Sequence, residues 1–95
     1  MLNLIWRETA RQDVVEIFEF IAERDVKAAL SLKDRIEATA ERLTNHPYMF
    51  RAGRMPGTRE ALVHPNYLLI YSVGAEAVEV INVLHSRQQY PTQSG

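Results

Sequence analysis

The sequence predicts an α+β domain in which an N-terminal short strand is followed by a two-helix antiparallel hairpin packed on a mostly antiparallel four-stranded sheet. Three observations carry this. Residues 9–45 contain two stretches with apolar side chains at helical spacing, interrupted by a break of a few residues. Residues 59–84 contain three short runs rich in Val, Leu, Ile and Tyr, separated by Pro-Asn and by Gly. With 95 residues the chain has room for one core, so helices and strands must share it. The reading is a single domain over residues 1–95, with 91–95 as a flexible tail.

Leu2-Asn3-Leu4-Ile5-Trp6 alternates as a short first strand. Thr9, followed three positions later by Gln12, has the capping-box pattern and predicts a helix starting at Thr9 or Ala10. Val14, Ile17, Phe18 and Ile21 make its apolar stripe, with Asp13, Glu16, Glu19 and Glu23 on the wetter side. Val15 and Phe20 lie off that stripe, where they either widen the buried surface or mark a place for another protein to dock. Asp25 can cap the second helix, whose inward stripe is Ala29, Leu32, Ile36, Ala40 and Leu43. That helix stops at Asn45-His46-Pro47, since a residue before proline is pushed out of the α region.

A loop from Pro47 to Gly57 leads to the meander. Its strands are Arg59–Val63, Tyr67–Val73 and Val78–Leu84, linked tightly enough for antiparallel hairpins. The middle run is apolar on both faces and is placed centrally.

Composition narrows the function. An apolar fraction of 46% with 24% charged residues is that of a globular protein and excludes compositional disorder. The absence of cysteine excludes disulfides and thiolate metal sites. No apolar run approaches the roughly 18–20 residues that span a bilayer, and the N-terminus lacks the basic start of a signal peptide. The expectation is a cytoplasmic protein with no membrane partner. A formal net charge of −1 argues against a general nucleic-acid binder. The charge is nevertheless uneven, with carboxylates crowding the first helix and Arg51, Arg54 and Arg59 at the entrance to the sheet.

Candidate chemistry gathers after the last strand. His85, Arg87 and Tyr90 supply an imidazole, a fixed cation and a phenol, the residue types needed to cleave RNA by transfer to the 2′-oxygen. The same residues also suit a strand cap, an ion pair to a helix carboxylate and a packed surface ring. His64, beside Pro65-Asn66, is a second candidate within an ordinary turn. Arg54, with Arg51 in the loop, can hold a phosphate or a carboxylate partner or simply be solvated, and Arg59 can orient a target phosphate or pair with a glutamate of the first helix. His46, His64 and His85 have no metal-ligand spacing, and neither a phosphate loop nor a nucleophile elbow is present, so no metal and no cofactor are expected.

Read together, His46-Pro47, Gly53-Arg54, Gly57-Thr58-Arg59-Glu60, His64-Pro65-Asn66-Tyr67-Leu68-Leu69-Ile70-Tyr71 and Val83-Leu84-His85-Ser86-Arg87-Gln88-Gln89-Tyr90-Pro91 resemble the RelE/ParE superfamily of bacterial toxins over roughly residues 2–91. The resemblance implies the toxin of a type II toxin–antitoxin system, wrapped by a cognate antitoxin. On the helical hairpin that antitoxin is expected to cover Val15 and Phe20.

RelE-like members cut messenger RNA at the ribosome, whereas ParE-like members poison DNA gyrase. Where the RelE pattern has an arginine near the end of the second strand this chain has Val63, with His64 the nearest polar residue. Arg87 and Tyr90 match the C-terminal basic and tyrosine positions only in part. Ribosome-dependent relatives are typically strongly basic, because phosphate contacts dominate their affinity; this chain is not. The balance favours a ParE-like gyrase poison that is not an enzyme, with Arg54, Arg59 and Arg87 as target contacts. The alternatives are an endonuclease acting through His64, His85, Arg87 and Tyr90, and an inactive antitoxin-binding module.

Overall fold

Strand and helix periodicities meet on one side of a sheet. The computed structural model describes residues 1–87. In chain order it contains β1 (Asn3–Trp6), α1 (Glu8–Ala22), α2 (Val26–Leu43), β2 (Arg51–Ala52), β3 (Arg59–His64), β4 (Tyr67–Val73) and β5 (Ala77–His85). The sheet order is β1-β5-β4-β3-β2. The β3-β4-β5 meander is antiparallel and β4 is central, whereas β1 lies parallel to β5 with Asn3 opposite Ala77 and Trp6 opposite Val80. The four expected strands are joined by β2, a short edge strand that pairs Arg51 with Glu60 and Ala52 with Arg59.

Both helices lie on one face, α1 against β5 and α2 against β3. The expected α2 stripe of Ala29, Leu32, Ile36, Ala40 and Leu43 is buried, and the Asp25 carboxylate accepts the Ala28 N–H at 3.0 Å. Opposite it, Ala61, Val63, Leu69, Tyr71, Val78, Val80 and Val83 complete the core. Full burial of a side chain such as Ile36 or Leu69 contributes about 1.5–3 kcal/mol.

Helix α1 departs from its sequence-based reading in two ways. It begins at Glu8 after Arg7, which makes no side-chain cap, so Thr9 and Gln12 do not form a capping box. The Thr9 hydroxyl instead donates to the Ile81 carbonyl at 2.6 Å, and Gln12 donates to Glu16. Asp13, assigned by periodicity to the wet side, is half-buried: its carboxylate accepts the Asn82 amide and the Val83 N–H, each at 2.9 Å. A docking bond available in the native sheet outweighs a local cap.

Only Ala10 of α1 is fully buried, while Val14, Ile17 and Ile21 pack on the core but remain partly open. Among the described residues no helix is long and apolar enough to cross a membrane.

Candidate functional site

The histidines meet because of two irregularities in the sheet. Strict alternation after Leu62, which points outward, and Val63, which is buried, would turn His64 outward too. A register shift between Leu62 and His64 brings His64 opposite Tyr67 instead. On β5 a second shift sets Ile70 opposite Asn82 and Tyr71 opposite Val80. It changes the phase of the strand, so that Val78, Val80 and Val83 are all buried and His85 falls opposite Tyr67. Thr9 and Asp13 bond to the backbone of this second bulge, at Ile81 and Val83.

His64, Tyr67 and His85 therefore form one row across three adjacent strands. The Tyr67 ring is buried between the imidazoles, with centroid distances of 5.9 Å to His64 and 5.3 Å to His85. The Nδ1 of His64 accepts the Asn66 N–H at 3.0 Å, and the Nδ1 of His85 accepts the Arg87 N–H at 3.1 Å. A nitrogen that accepts carries no proton, so each neutral ring holds its proton on Nε2. The two turns are also tied together, because Ser86 donates its N–H to the Asn66 carbonyl at 2.7 Å and its hydroxyl to the Pro65 carbonyl at 3.2 Å.

The row forms a wall of a cleft of about 520 Å³, closed on the other side by Phe20 and Ile21 of α1 and by Leu32 and Arg35 of α2. An adjoining recess at Tyr67 and His85 is lined by Asp13 and Glu16.

The arginines at the sheet entrance lie at the far end of β3, about 17 Å away for a strand advance of five residues. There the Glu60 side chain, buried at 3% exposure, pairs with Arg51 at 3.0 Å and Arg54 at 3.6 Å and accepts the Arg54 N–H. Arg59 donates to the Phe50 carbonyl at 2.7 Å, and its guanidinium lies 4.8 Å from the centre of the Tyr48 ring. Burial raises the pKa of Tyr71, against the opposing charge of Arg59 and a hydrogen bond to the Phe50 backbone, so the phenol stays protonated and donates to the Pro47 carbonyl at 2.8 Å. Arg54 is thus paired with Glu60 rather than simply solvated, and Arg59 is tied to the loop rather than to a glutamate of α1. Gly57, with φ of +81°, allows this loop to turn back into β3.

A family model described as the ParE toxin of the type II toxin–antitoxin system parDE matches residues 4–90. The chain belongs to the ParE toxin family. Among solved structures, a chain of the chromosomal ParDE system of P. aeruginosa superposes with a TM-score of 0.78 at 17% identity, covering 90% of this chain and 96% of that one. A YoeB/ParE toxin from Agrobacterium tumefaciens gives 0.60 at 18% identity over 88% and 98%. A chain of the E. coli DinJ–YafQ toxin–antitoxin complex gives 0.61 at 16% identity over 88% and 91%. At such identities these likenesses establish a shared fold. No curated protein sequence matches the chain.

Of the candidate residues, this ParE-family structure brings His64 and His85 together and adds Tyr67 and Arg35, which sequence reasoning missed. The signal for Tyr67 was its hairpin register to His64 across Pro65-Asn66; Arg35 gave none. Arg54 and Arg59 stand apart from the row, Arg87 is exposed beside His85, and Tyr90 lies outside the described residues. Val15 and Phe20 are 49% and 65% exposed, leaving apolar surface on the hairpin. Among the described residues no three His, Cys, Asp or Glu side chains converge on a metal position.

Proposed function

We propose that this ParE-family toxin arrests growth in the cytoplasm by poisoning DNA gyrase, and that a cognate antitoxin neutralises it by covering the helical hairpin at Val15 and Phe20. The observation that carries the target assignment is that a backbone N–H engages Nδ1 of both histidines in the row. Cleavage of RNA through its 2′-oxygen needs a lone pair to take the hydroxyl proton. In His64 and His85 that lone pair is on Nδ1 and is already used by a backbone N–H. What each ring can offer a partner is an Nε2–H donor, which suits recognition better than proton abstraction. The occupied arginines at the sheet entrance and the net charge of −1 favour a protein target over an RNA surface in the same way.

A second reading, a RelE-like ribosome-dependent mRNA endonuclease, draws support from the grouping of two imidazoles and a phenol in one cleft. The two readings separate on brief induction in a growing bacterium with labelled thymidine and amino acids followed in parallel. Early loss of DNA synthesis, followed by accumulation of cleavage complexes with purified gyrase, is the expected result. Early loss of protein synthesis with DNA synthesis spared would transfer the assignment to the endonuclease. Intact growth would leave an inactive antitoxin-binding module.

A further inference from the structure

We infer that the cleft between the helical hairpin and the histidine row binds a carboxylate side chain together with an apolar neighbour, presented by a segment of the protein target. This rests on the reading of a protein target above and adds the chemistry that would be recognised. Ser31, Asn66 and Tyr67 line the cleft too, but its imidazole and guanidinium donors come from His64, His85 and Arg35. The imidazoles of His64 and His85 have Nδ1 turned to the backbone, which leaves Nε2–H as the polar atom each can present. Arg35 is exposed on α2 and makes no ion pair or side-chain hydrogen bond among the described residues, so its guanidinium has donors for a bidentate carboxylate. Between these groups the surface is apolar, formed by Phe20, Ile21 and Leu32.

Charge decides between a carboxylate and a phosphate chain. The only fixed cation of this cleft among the described residues is Arg35, and the adjoining recess carries Asp13 and Glu16. The Asp13 carboxylate accepts from Asn82 and Val83, and that of Glu16 accepts from Gln12. A polyanion following the row from one recess to the next would meet these carboxylates after leaving a single arginine. One carboxylate, with a leucine-like or aromatic side chain beside it, satisfies the donors, fills the apolar floor and stops short of the acidic recess.

The test is a titration of the isotopically labelled protein with two blocked tetrapeptides differing only in Leu-Glu against Leu-Gln, and with a short single-stranded RNA at the same salt. The Glu peptide is expected to shift the ring nitrogen signals of both His64 and His85. It should bind at least about tenfold more tightly than the Gln peptide, as loss of one charge-assisted hydrogen bond implies. Arg35→Gln should remove that preference and Arg35→Lys keep part of it, with unchanged backbone amide spectra showing that both variants fold. Equal binding of the two peptides overturns the inference, and so does RNA shifting both signals at lower concentration than the Glu peptide. Trapping of gyrase by the unaltered toxin is scored separately. Gyrase trapped without a Glu preference sinks the cleft assignment alone, and a Glu preference without gyrase trapping sinks the choice of gyrase alone.

Discussion

Asp13 of α1 accepts the backbone N–H of Val83 at 2.9 Å, a bond that reaches from a helix into the interior of a strand. The N–H lies beside a bulge, and the same carboxylate also holds the Asn82 amide. Asp13→Ala would leave both groups partly buried and unsatisfied, at a cost of about 1–3 kcal/mol. Asp13→Asn keeps one acceptor and is expected to recover part of the loss. Urea unfolding of the three proteins measures this; an Ala variant as stable as the parent would show that α1 is held by packing alone.

The histidine tautomers can be read directly. Nitrogen-15 spectra at neutral pH should place the proton of both His64 and His85 on Nε2, because Nδ1 accepts from Asn66 and Arg87. A proton on Nδ1 of either ring would restore a free lone pair at Nε2 and remove the main support for a non-hydrolytic toxin.

Glu60 fastens the edge strand. Its carboxylate is buried and takes both Arg51 and Arg54, whose side chains are 68% and 46% exposed. Solvent screens the arginines, so losing one of them should cost no more than about 1 kcal/mol. Glu60→Ala removes the shared anchor, and the expected penalty is about 1–3 kcal/mol with early loss of amide protection at Arg51 and Ala52. Protection of β2 equal to that of β3 in the variant would contradict this.

Arg7 and Glu79 tie the end of β1 to β5 at 3.0 Å. Their hydrogen bond is the main cause that lowers the pKa of Glu79 and raises that of Arg7. A lowered carboxyl pKa means that the pair contributes fully above the ordinary glutamate range, and that its contribution is lost as pH falls through the folded-state value. For Arg7 the raised value keeps the contribution in place up to alkaline pH. Both groups are at the surface, so the effect is small and is expected to fade in high salt. Stability of Glu79→Gln relative to the parent, followed by urea unfolding on acidification, should converge with it at low pH; a difference that persisted there would be steric rather than electrostatic.

The parts of this fold that follow from one strand or helix at a time were legible in the sequence. The α2 stripe, the Asp25 cap, the meander and the central position of β4 all rest on periodicity and turn chemistry within a short window. What escaped was set by tertiary structure. Thr9 carries the same local signal whether it caps its own helix or bonds to Ile81 some seventy positions later, and only the folded chain presents that carbonyl. The bulges that re-aim His64 and His85 leave no mark in the hydrophobic pattern, because Val63 and Val83 suit either phase. The two histidines were thus visible as residues and invisible as a pair. Arg51 and Arg54 read as a basic loop until Glu60, next to Arg59 in sequence, is seen to turn inward between them.

The parallel pairing of β1 with β5 ties the beginning of the chain to a strand that starts at Ala77. An emerging polypeptide can form its helical hairpin early, but Leu4 and Trp6 have no strand to lie against until Ala77–His85 has been synthesised. Such non-local closure is slow relative to hairpin formation. Translation that aborts before β5 therefore releases a fragment lacking both His85 and the strand that anchors α1. His64, Tyr67 and His85 can come together only once β5 is in place, by which point the whole helical hairpin has already been made.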